Sequence, residues 1–288
     1  MSPVTPAPQT MEVTVLTPLP RTTRLTRRSL LLFAILALVA SLGVGSTVTA
    51  PAGAAHRTRP VLLIHGYSFN NDTSCTSTFD RMISQMRSEG FTGPFVKVGY
   101  YSGNTGCNVN LRSWGNVGNS SSWKTISKAL SQYVYSTYTS RGVAVDIVGY
   151  SMGGNVARGA VYGSSIRESG FSAPLRVEDV VTLGSPHKGA AWYSNFCLWG
   201  QCSSLKPSSS DIAWLNRNGN PQGVGGTDFT VIGSNGDSVV SASSATYMSV
   251  PTARKVIYSK VPHTGSSNYM GNPTVVTRAG NALALVGV

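Results

Sequence analysis

The chain has 288 residues with a net charge of +12, and 41% of them are hydrophobic. Beyond an N-terminal targeting segment, about 230 residues remain without repeats or long linkers, which is the size of one α/β domain. The 23 Lys and Arg residues are scattered rather than arranged in a stripe. The positive charge therefore argues against a nucleic-acid-binding protein and favours solubility or attraction to anionic surfaces.

Residues 1–55 have the composition of a secretory signal and its cleavage region. Four arginines precede an apolar run at residues 30–42, which is too short to span a bilayer comfortably, and small residues follow. Arg27 and Arg28 resemble a twin-arginine signal. An ordinary signal that contains Arg-Arg and an uncleaved membrane anchor remain alternatives. We expect a secreted, extracellular protein whose main domain is residues 56–288, with no stable membrane span after cleavage.

After residue 55, apolar runs alternate with amphipathic segments. The apolar runs predict strands at residues 60–66, 95–101, 143–149, 180–184, 229–233 and 255–259. The amphipathic segments predict helices at residues 76–89, 123–141, 155–162 and 274–285. This alternation indicates an α/β fold, with a mostly parallel central sheet and helices on both faces. In such folds the functional groups gather beyond the carboxyl ends of the strands.

The most informative segment is residues 143–154. A buried strand runs into GYSMG at residues 149–153, and a helical pattern follows directly. Glycines on both sides of Ser151 leave room for a sharp strand-to-helix turn that exposes the serine hydroxyl. The start of the helix directs free N–H groups and its positive dipole end toward this hydroxyl. An isolated match is weak in a chain with 31 glycines, but this context predicts a nucleophilic serine.

A nucleophilic serine needs a base, and the base needs an acid that orients it. In this fold both follow the serine in the chain, the acid first and the histidine last. His263 lies in a loop after the last predicted strand, where the base is expected. His187 precedes nearly every candidate acid and is better explained as a loop histidine that hydrogen-bonds the backbone. His56 and His65 precede the serine.

Asp237 is the predicted acid. It comes after a strand and a Gly/Asn turn, so its carboxylate should emerge at the same edge of the sheet as the serine. The other carboxylates are less well placed. Asp211 resembles the N-cap of a short helix. Asp146 lies within a strand, and Asp179 and Asp228 precede strands.

The oxyanion that forms during ester cleavage needs two backbone donors. One is the N–H of Met152, the residue after the serine, and the other should come from the loop after the first strand. In that loop Gly66 permits a tight turn, and the N–H of Tyr67 is the predicted donor. The set of residues therefore predicts a site for acyl transfer.

Four cysteines lie in the exported part, namely Cys75, Cys107, Cys197 and Cys202. An even number in an oxidising compartment favours two disulfides, for which three pairings are possible. Cys197 and Cys202 enclose only four residues, so a local loop is the economical pairing and leaves Cys75 with Cys107. No histidine lies at metal-ligand spacing from either pair, so a metal site is not expected.

Residues 190–227 interrupt the alternation of strands and helices. The segment is rich in Ser, Gly and Asn, and it carries Trp192, Phe196, Trp199 and Trp214. A long insertion near a site is often a binding wall or lid, and its aromatic residues would then form an apolar rim around the serine. A disulfide-stapled surface loop with a few core-directed aromatic residues is the alternative.

The motifs VLLIHGY, VDIVGYSMGG, VVTLGSPHKG and VPHTG resemble those of small secreted bacterial lipases of the lipase class 2 group. The resemblance covers most of residues 60–270 and implies a minimal α/β-hydrolase fold with esterase or triacylglycerol lipase activity. It implies that Ser151, Asp237 and His263 form a catalytic triad. It also implies that Tyr67 and Met152 form the oxyanion hole. The chain has Gly-Tyr-Ser where many relatives carry Gly-His-Ser, which bears on chain-length preference rather than on activity.

We therefore expect a serine carboxylic ester hydrolase that acts on ester or lipid substrates, including substrates at a lipid–water interface. No metal or organic cofactor is expected, since the sequence has no ligand cluster and no phosphate-binding glycine loop. A polyester depolymerase or an acyltransferase with the same triad remains an alternative. A catalytically inactive binding module on the same fold is another.

Overall fold

A central parallel sheet organises the part of the chain that the computed structural model describes, residues 56–190 and 200–284. The strands in these ranges are β1 (Val61–Ile64), β2 (Asp72–Ser74), β3 (Phe95–Gly99), β4 (Gly103–Thr105), β5 (Val109–Asn110), β6 (Val145–Tyr150), β7 (Val177–Leu183), β8 (Asp228–Ser234) and β9 (Lys255–Tyr258). The central sheet has the order β5-β3-β1-β6-β7-β8-β9, and its neighbouring strands are all parallel. Strands β2 and β4 pair separately.

Burial on both faces explains why these segments form a parallel sheet. In β1, the side chains of Leu62 and Ile64 belong to the core on one face, and those of Val61 and Leu63 belong to the core on the other. A strand that is covered on both faces has to be apolar at every position, which is the pattern of the sequence here.

Helices cover both faces of the sheet. They are α1 (Cys75–Ser88), α2 (Trp123–Thr137), α3 (Met152–Ser165), α4 (Gly200–Ser203), α5 (Ser210–Leu215), α6 (Ala242–Ala245) and α7 (Pro273–Ala284). Helices α2 and α3 pack together on one face, and α1 and α7 pack together on the other. The predicted α/β fold is confirmed. In the two described ranges, no helix combines the length and the apolar character needed to cross a membrane.

The observed elements differ from the predicted ones mainly at their ends. The helix predicted at residues 123–141 stops at Thr137, because Tyr138 leaves the helical conformation and a 3-10 turn follows, Thr139–Arg141. Gly142 then adopts φ 74°, a left-handed conformation that glycine accepts without strain. Strands β2, β4 and β5 were not predicted, because segments of two or three mostly polar residues carry no period.

A disulfide ties the start of α1 to the chain after β4. Cys75 and Cys107 are bonded, as predicted, with their Cα atoms 5.1 Å apart. The crosslink spans 32 residues and stabilises the fold by about 3–4 kcal/mol in the chain-entropy view, because it restricts the unfolded chain. Cys202 is also disulfide-bonded. Its predicted partner, Cys197, lies outside the described residues.

Three of the four other carboxylates considered for the acid, Asp146, Asp179 and Asp228, lie at the amino-terminal edge of the sheet. Arg59 lies between Asp146 and Asp179, with N–O distances of 3.1 and 3.2 Å. Arg254 pairs with Asp228 at 2.7 Å. Burial raises the pKa of Asp146 and Asp179, and the neighbouring Asp146 adds to the rise at Asp179. Asp179 and Asp228 were expected to precede their strands. Instead, Asp179 lies within β7 and Asp228 is the first residue of β8.

The insertion at residues 190–227 contains the two short helices α4 and α5. Trp214 in α5 was expected at an apolar rim, but it is only 4% exposed. Its ring stacks on Phe171, and its Nε1 donates a hydrogen bond to the Glu168 carboxylate. That expectation is wrong for Trp214, because α5 turns this side chain toward the core. The other members of the expected rim, Trp192, Phe196 and Trp199, lie outside the described residues.

Candidate active site

Ser151 occupies a strained turn between β6 and α3. Its φ of 54° and ψ of −128° are unusual for a residue with a side chain. Glycines make the turn possible, since a Cβ at Gly149 would lie 2.5 Å from the Cα of Gly154. A Cβ at Gly153 would lie 2.3 Å from the carbonyl oxygen of Ile64. The turn therefore depends on glycine at these positions, and it presents the serine hydroxyl at the carboxyl end of β6.

Two side chains from separate loops meet at Ser151. His263 follows β9, and its Nε2 lies 2.9 Å from Ser151 Oγ. The Nδ1 of the same ring lies 2.7 Å from Asp237 Oδ2, in the loop after β8. The structure thus brings together the three residues predicted as a triad, because β6, β8 and β9 end at one edge of the parallel sheet.

Four donors surround the Asp237 carboxylate. Its Oδ1 accepts hydrogen bonds from the backbone N–H groups of Val239 and Val240, both at 2.8 Å. Its Oδ2 accepts one from the Tyr269 hydroxyl at 2.9 Å, beside the contact with His263. Burial favours the neutral acid, but the hydrogen bonds from His263 and the two amides outweigh burial and lower the pKa of Asp237. The ionised carboxylate then holds the His263 proton on Nδ1.

Two tyrosines support this pair, and neither contact is predicted by the sequence. The Tyr150 hydroxyl donates a hydrogen bond to the carbonyl of His263, and their ring centroids are 5.2 Å apart. Tyr269 packs edge-on against His263, with the centroids 6.3 Å apart. Gly184 leaves space for Tyr269, because a Cβ there would lie 2.6 Å from its ring. Tyr150 stands within the serine motif, whereas no motif marks Tyr269.

The loop after β1 runs directly beside the serine. A Cβ at Gly66 would lie 2.7 Å from Ser151 Cβ and 3.2 Å from its Oγ. Tyr67, the next residue, lines the same cleft as Ser151. Met152 begins α3, where its N–H has no partner within the helix. The two residues predicted as oxyanion donors therefore both lie next to the serine, one in the loop after β1 and one at the start of α3.

His65 braces this loop. It is fully buried against the rings of Tyr100 and Tyr101, and it contacts the Gly66 carbonyl and the Asn104 side chain. Burial lowers the pKa of His65 to about 4, so the ring is neutral at pH 7. The Tyr100 hydroxyl donates to the carbonyls of His65 and Gly66, at 2.8 and 2.6 Å. These contacts fix the loop at the distance from Ser151 that Gly66 allows.

The cleft in front of Ser151 is small and mainly apolar. Its volume is about 60 Å³, and its apolar lining includes Pro186, Leu205 and Val240. A groove of about 390 Å³ continues from it, since Ala190 and Val239 line both. Near the cleft, Phe69 is 66% exposed and contacts Tyr67 edge-on, with ring centroids 5.0 Å apart. The sequence gives no signal for Phe69, because one phenylalanine in a loop forms no pattern.

The competing residues have other roles. His187 is buried, and its Nε2 contacts the Thr182 hydroxyl at 2.9 Å rather than the backbone. Burial, with the nearby Arg158 charge, holds the pKa of His187 well below its usual value. Asp211 is not an N-cap, because the side chain of Ser209 caps α5. Within residues 56–190 and 200–284, no cluster of three His, Cys, Asp or Glu side chains is arranged to hold a metal ion.

Comparison with known proteins bears on both the family and the fold. A family model described as palmitoyl protein thioesterase matches residues 60–260, which include Ser151 and Asp237 and end three residues before His263. No curated protein sequence matches the chain.

Solved structures with the same fold are distant in sequence. The chain is similar to the mature form of the Bacillus licheniformis lipase BlEst2, with a TM-score of 0.53 and 18% identity over 84% of this chain and 97% of that one. It is also similar to the phospholipase PlaB from Legionella pneumophila in complex with thio-NAD, with a TM-score of 0.56 and 13% identity over 79% of this chain and 59% of that one. Identities this low establish a shared α/β-hydrolase fold, while function rests on the site.

The approach of the first loop to the serine can be tested by adding one methyl group. Gly66→Ala places a Cβ 2.7 Å from Ser151 Cβ, so the loop has to move away. A shift of about 1 Å at such a site lowers kcat/KM about 100-fold, measured on a soluble ester. Gly118→Ala is the matched control, because its nearest neighbour, Ser121 Oγ, is 3.8 Å away. Equal activity of the two variants would contradict this account of the loop.

Proposed function

This chain belongs to the palmitoyl protein thioesterase family, and we propose that it is a secreted serine hydrolase that cleaves lipid esters through an acyl-enzyme. The observation that carries the proposal is the 2.9 Å contact between Ser151 Oγ and His263 Nε2 at a strained, exposed turn. Secretion is supported by the signal-like composition of residues 1–55 and by the Cys75–Cys107 disulfide, which is typical of oxidising compartments.

In the acylation step, Ser151 Oγ attacks the ester carbonyl carbon while His263 Nε2 takes the hydroxyl proton. The carbonyl oxygen becomes an oxyanion, which accepts hydrogen bonds from the N–H groups of Met152 and Tyr67. The C–O bond to the alcohol then breaks, and His263 gives its proton to the leaving oxygen. Asp237 stabilises the imidazolium through Nδ1 without taking its proton.

In the deacylation step, water replaces the alcohol. His263 Nε2 removes a proton from the water as its oxygen attacks the acyl carbon, and the same two N–H groups hold the second oxyanion. When the intermediate collapses, Ser151 Oγ leaves with the proton from His263, and the fatty acid is released. The depressed pKa of Asp237 keeps this cycle supplied with a carboxylate at neutral pH.

The roles of the serine and the histidine predict non-additive losses. Ser151→Ala and His263→Ala should each lower kcat on a soluble ester about 10⁴-fold or more, and the double variant should be hardly worse, because the two side chains act as one unit. His187→Gln is the control histidine and should cost far less. Ser151→Ala should also abolish labelling by a serine-directed phosphonate, and a labelled Ser151→Ala variant would refute the assignment.

A lipid substrate is supported by the apolar surface near the serine. The cleft presents Pro186, Leu205 and Val240 to a bound acyl chain, and the groove beyond Ala190 extends it. Phe69, 66% exposed beside Tyr67, is placed to contact a lipid–water interface. Triacylglycerol emulsions are therefore proposed as substrates in addition to soluble esters.

Replacing the exposed phenylalanine should separate the two kinds of substrate. Burial of Phe69 in a lipid interface contributes about 1.5–3 kcal/mol, so Phe69→Ser should lower turnover of emulsified triacylglycerol about tenfold or more and spare soluble esters. Ile166→Ser is the control, because Ile166 is 44% exposed but follows the far end of α3, roughly 20 Å along the helix from Ser151. Equal losses on emulsion and soluble ester would refute the interfacial role.

A thioesterase is the second candidate, favoured by the name of the family that matches residues 60–260. The same residues can cleave a thioester. A thiol has a pKa of about 8.5 and leaves as a thiolate with little help, whereas an alcohol needs the proton of His263. Both reactions form the same acyl-enzyme on Ser151.

Matched substrates decide between the two. We expect the kcat/KM values for a soluble oxygen ester and for the thioester of the same acyl chain to lie within about tenfold of each other. Both substrates place the same acyl chain on the same surface and form the same acyl-enzyme. A preference for the thioester of about 100-fold or more would make thioester hydrolysis the main function. The Ser151→Ala variant serves as the blank for both substrates.

A further inference from the structure

Arg158 is a buried cation without a carboxylate partner. It lies in the middle of α3 and is only 2% exposed. Its guanidinium donates one hydrogen bond from Nη1 to Asn216 Oδ1 at 3.0 Å, and its buried Nε has no hydrogen-bond partner among the described residues. Of the 11 Asp and Glu residues in the chain, all but Glu12 lie in the described ranges, and none of those ten pairs with Arg158.

Such an arrangement is costly unless an anion completes it. An unpaired charge in a protein interior loses its hydration without compensation. Burial lowers the pKa of Arg158 to about 10, so the side chain still carries its charge at pH 7.

A cavity of about 450 Å³ opens beside this guanidinium. Arg158, Asn216 and Asn220 line it together with Ser243, Ser249 and Lys255. Lys255, at the start of β9, is exposed and makes no ion pair with any described residue. The buried Asn220 Oδ1 has no hydrogen-bond partner in the described part of the chain. Two cations and several neutral polar groups therefore face one space that no carboxylate lines.

We propose that this cavity binds a phosphate group. A planar guanidinium can donate two parallel N–H hydrogen bonds to two oxygens of a phosphate. The Lys255 ammonium supplies the second positive charge. The hydroxyl groups of Ser243 and Ser249 add further donors, whereas the Asn220 amide N–H already donates to the Ser249 carbonyl. Among the described residues, the cavity shares no lining residue with the cleft at Ser151, and it meets the groove beyond that cleft at Ser243. The proposed phosphate site is therefore distinct from the cleft in which ester cleavage is proposed.

Titration calorimetry with sodium phosphate on the intact protein, at constant ionic strength set with NaCl, tests the proposal. The wild type should bind one phosphate in a saturable manner. Arg158→Lys keeps the charge but loses the planar fork, and Lys255→Ser removes the second cation at an exposed position. Each should weaken phosphate binding about tenfold or more, while the thermal midpoint of Lys255→Ser without phosphate stays close to wild type.

Lys260→Ser is the matched control, because Lys260 is exposed and lies outside the cavity. It should leave phosphate affinity within about twofold of wild type, since the two lysine variants change the net charge equally. Absence of saturable binding up to about 10 mM phosphate, or equal losses in Lys255→Ser and Lys260→Ser, would overturn the proposal. If Arg158→Lys fails to fold, the comparison of the two lysine variants decides alone.

The source of the phosphate can be read from the same titrations. Soluble dihexanoyl phosphatidic acid and glycerol 3-phosphate should both bind in competition with inorganic phosphate. Tighter binding of the lipid than of glycerol 3-phosphate assigns the site to a phospholipid headgroup, and equal binding assigns it to a free phosphate. Failure of both compounds to compete would contradict a shared phosphate site.

Discussion

The close approach of three backbone segments around Ser151 is the constraint on which the rest of the structure depends. The loop after β1 lies against the serine at Gly66, the start of α3 touches β1 at Gly153, and the turn closes on itself at Gly149. A side chain at any of these positions would separate β1, β6 and α3. Because β1 pairs with β6 in the parallel sheet, the approach also determines where the loop after β1 can lie. The order of the strands in the sheet therefore also determines the geometry of the site.

The surroundings of the buried carboxylates shift their pKa values in opposite directions. Asp237 is buried but accepts four hydrogen bonds, and its pKa is lowered. Asp146 and Asp179 are buried next to each other, and their pKa values are raised although Arg59 contacts both. The number of donors relative to the cost of burial decides the outcome. The same kind of side chain therefore has a lowered pKa where it contacts His263 and a raised pKa at the far edge of the sheet.

The excess of positive charge has a local consequence. With 23 Lys and Arg residues against 11 Asp and Glu residues, many cations have no carboxylate to pair with. Among the described residues, most of the cations without a carboxylate partner are exposed. Arg158 is not, because α3 carries it into the interior beside the cavity that Lys255 also lines. In the composition, the excess of positive charge indicates only a soluble, basic protein. At the cavity beside Arg158 and Lys255, the same excess creates the environment proposed to bind an anion.

The sequence by itself determined the fold class, the strained serine turn and the order of serine, acid and histidine, because these depend on local periodicity, on glycine positions and on the direction of the chain. The three residues predicted as a triad meet in the structure for the same reason, since parallel strands end at one edge. Only the tertiary structure decided which aromatic residues are buried. Trp214 lies in the core and Phe69 is exposed, although both stand in polar segments. The contacts of Tyr150 with His263 and of Tyr269 with Asp237, and the missing partner of Arg158, also join distant segments, because burial and pairing between such segments leave no period in a single sequence.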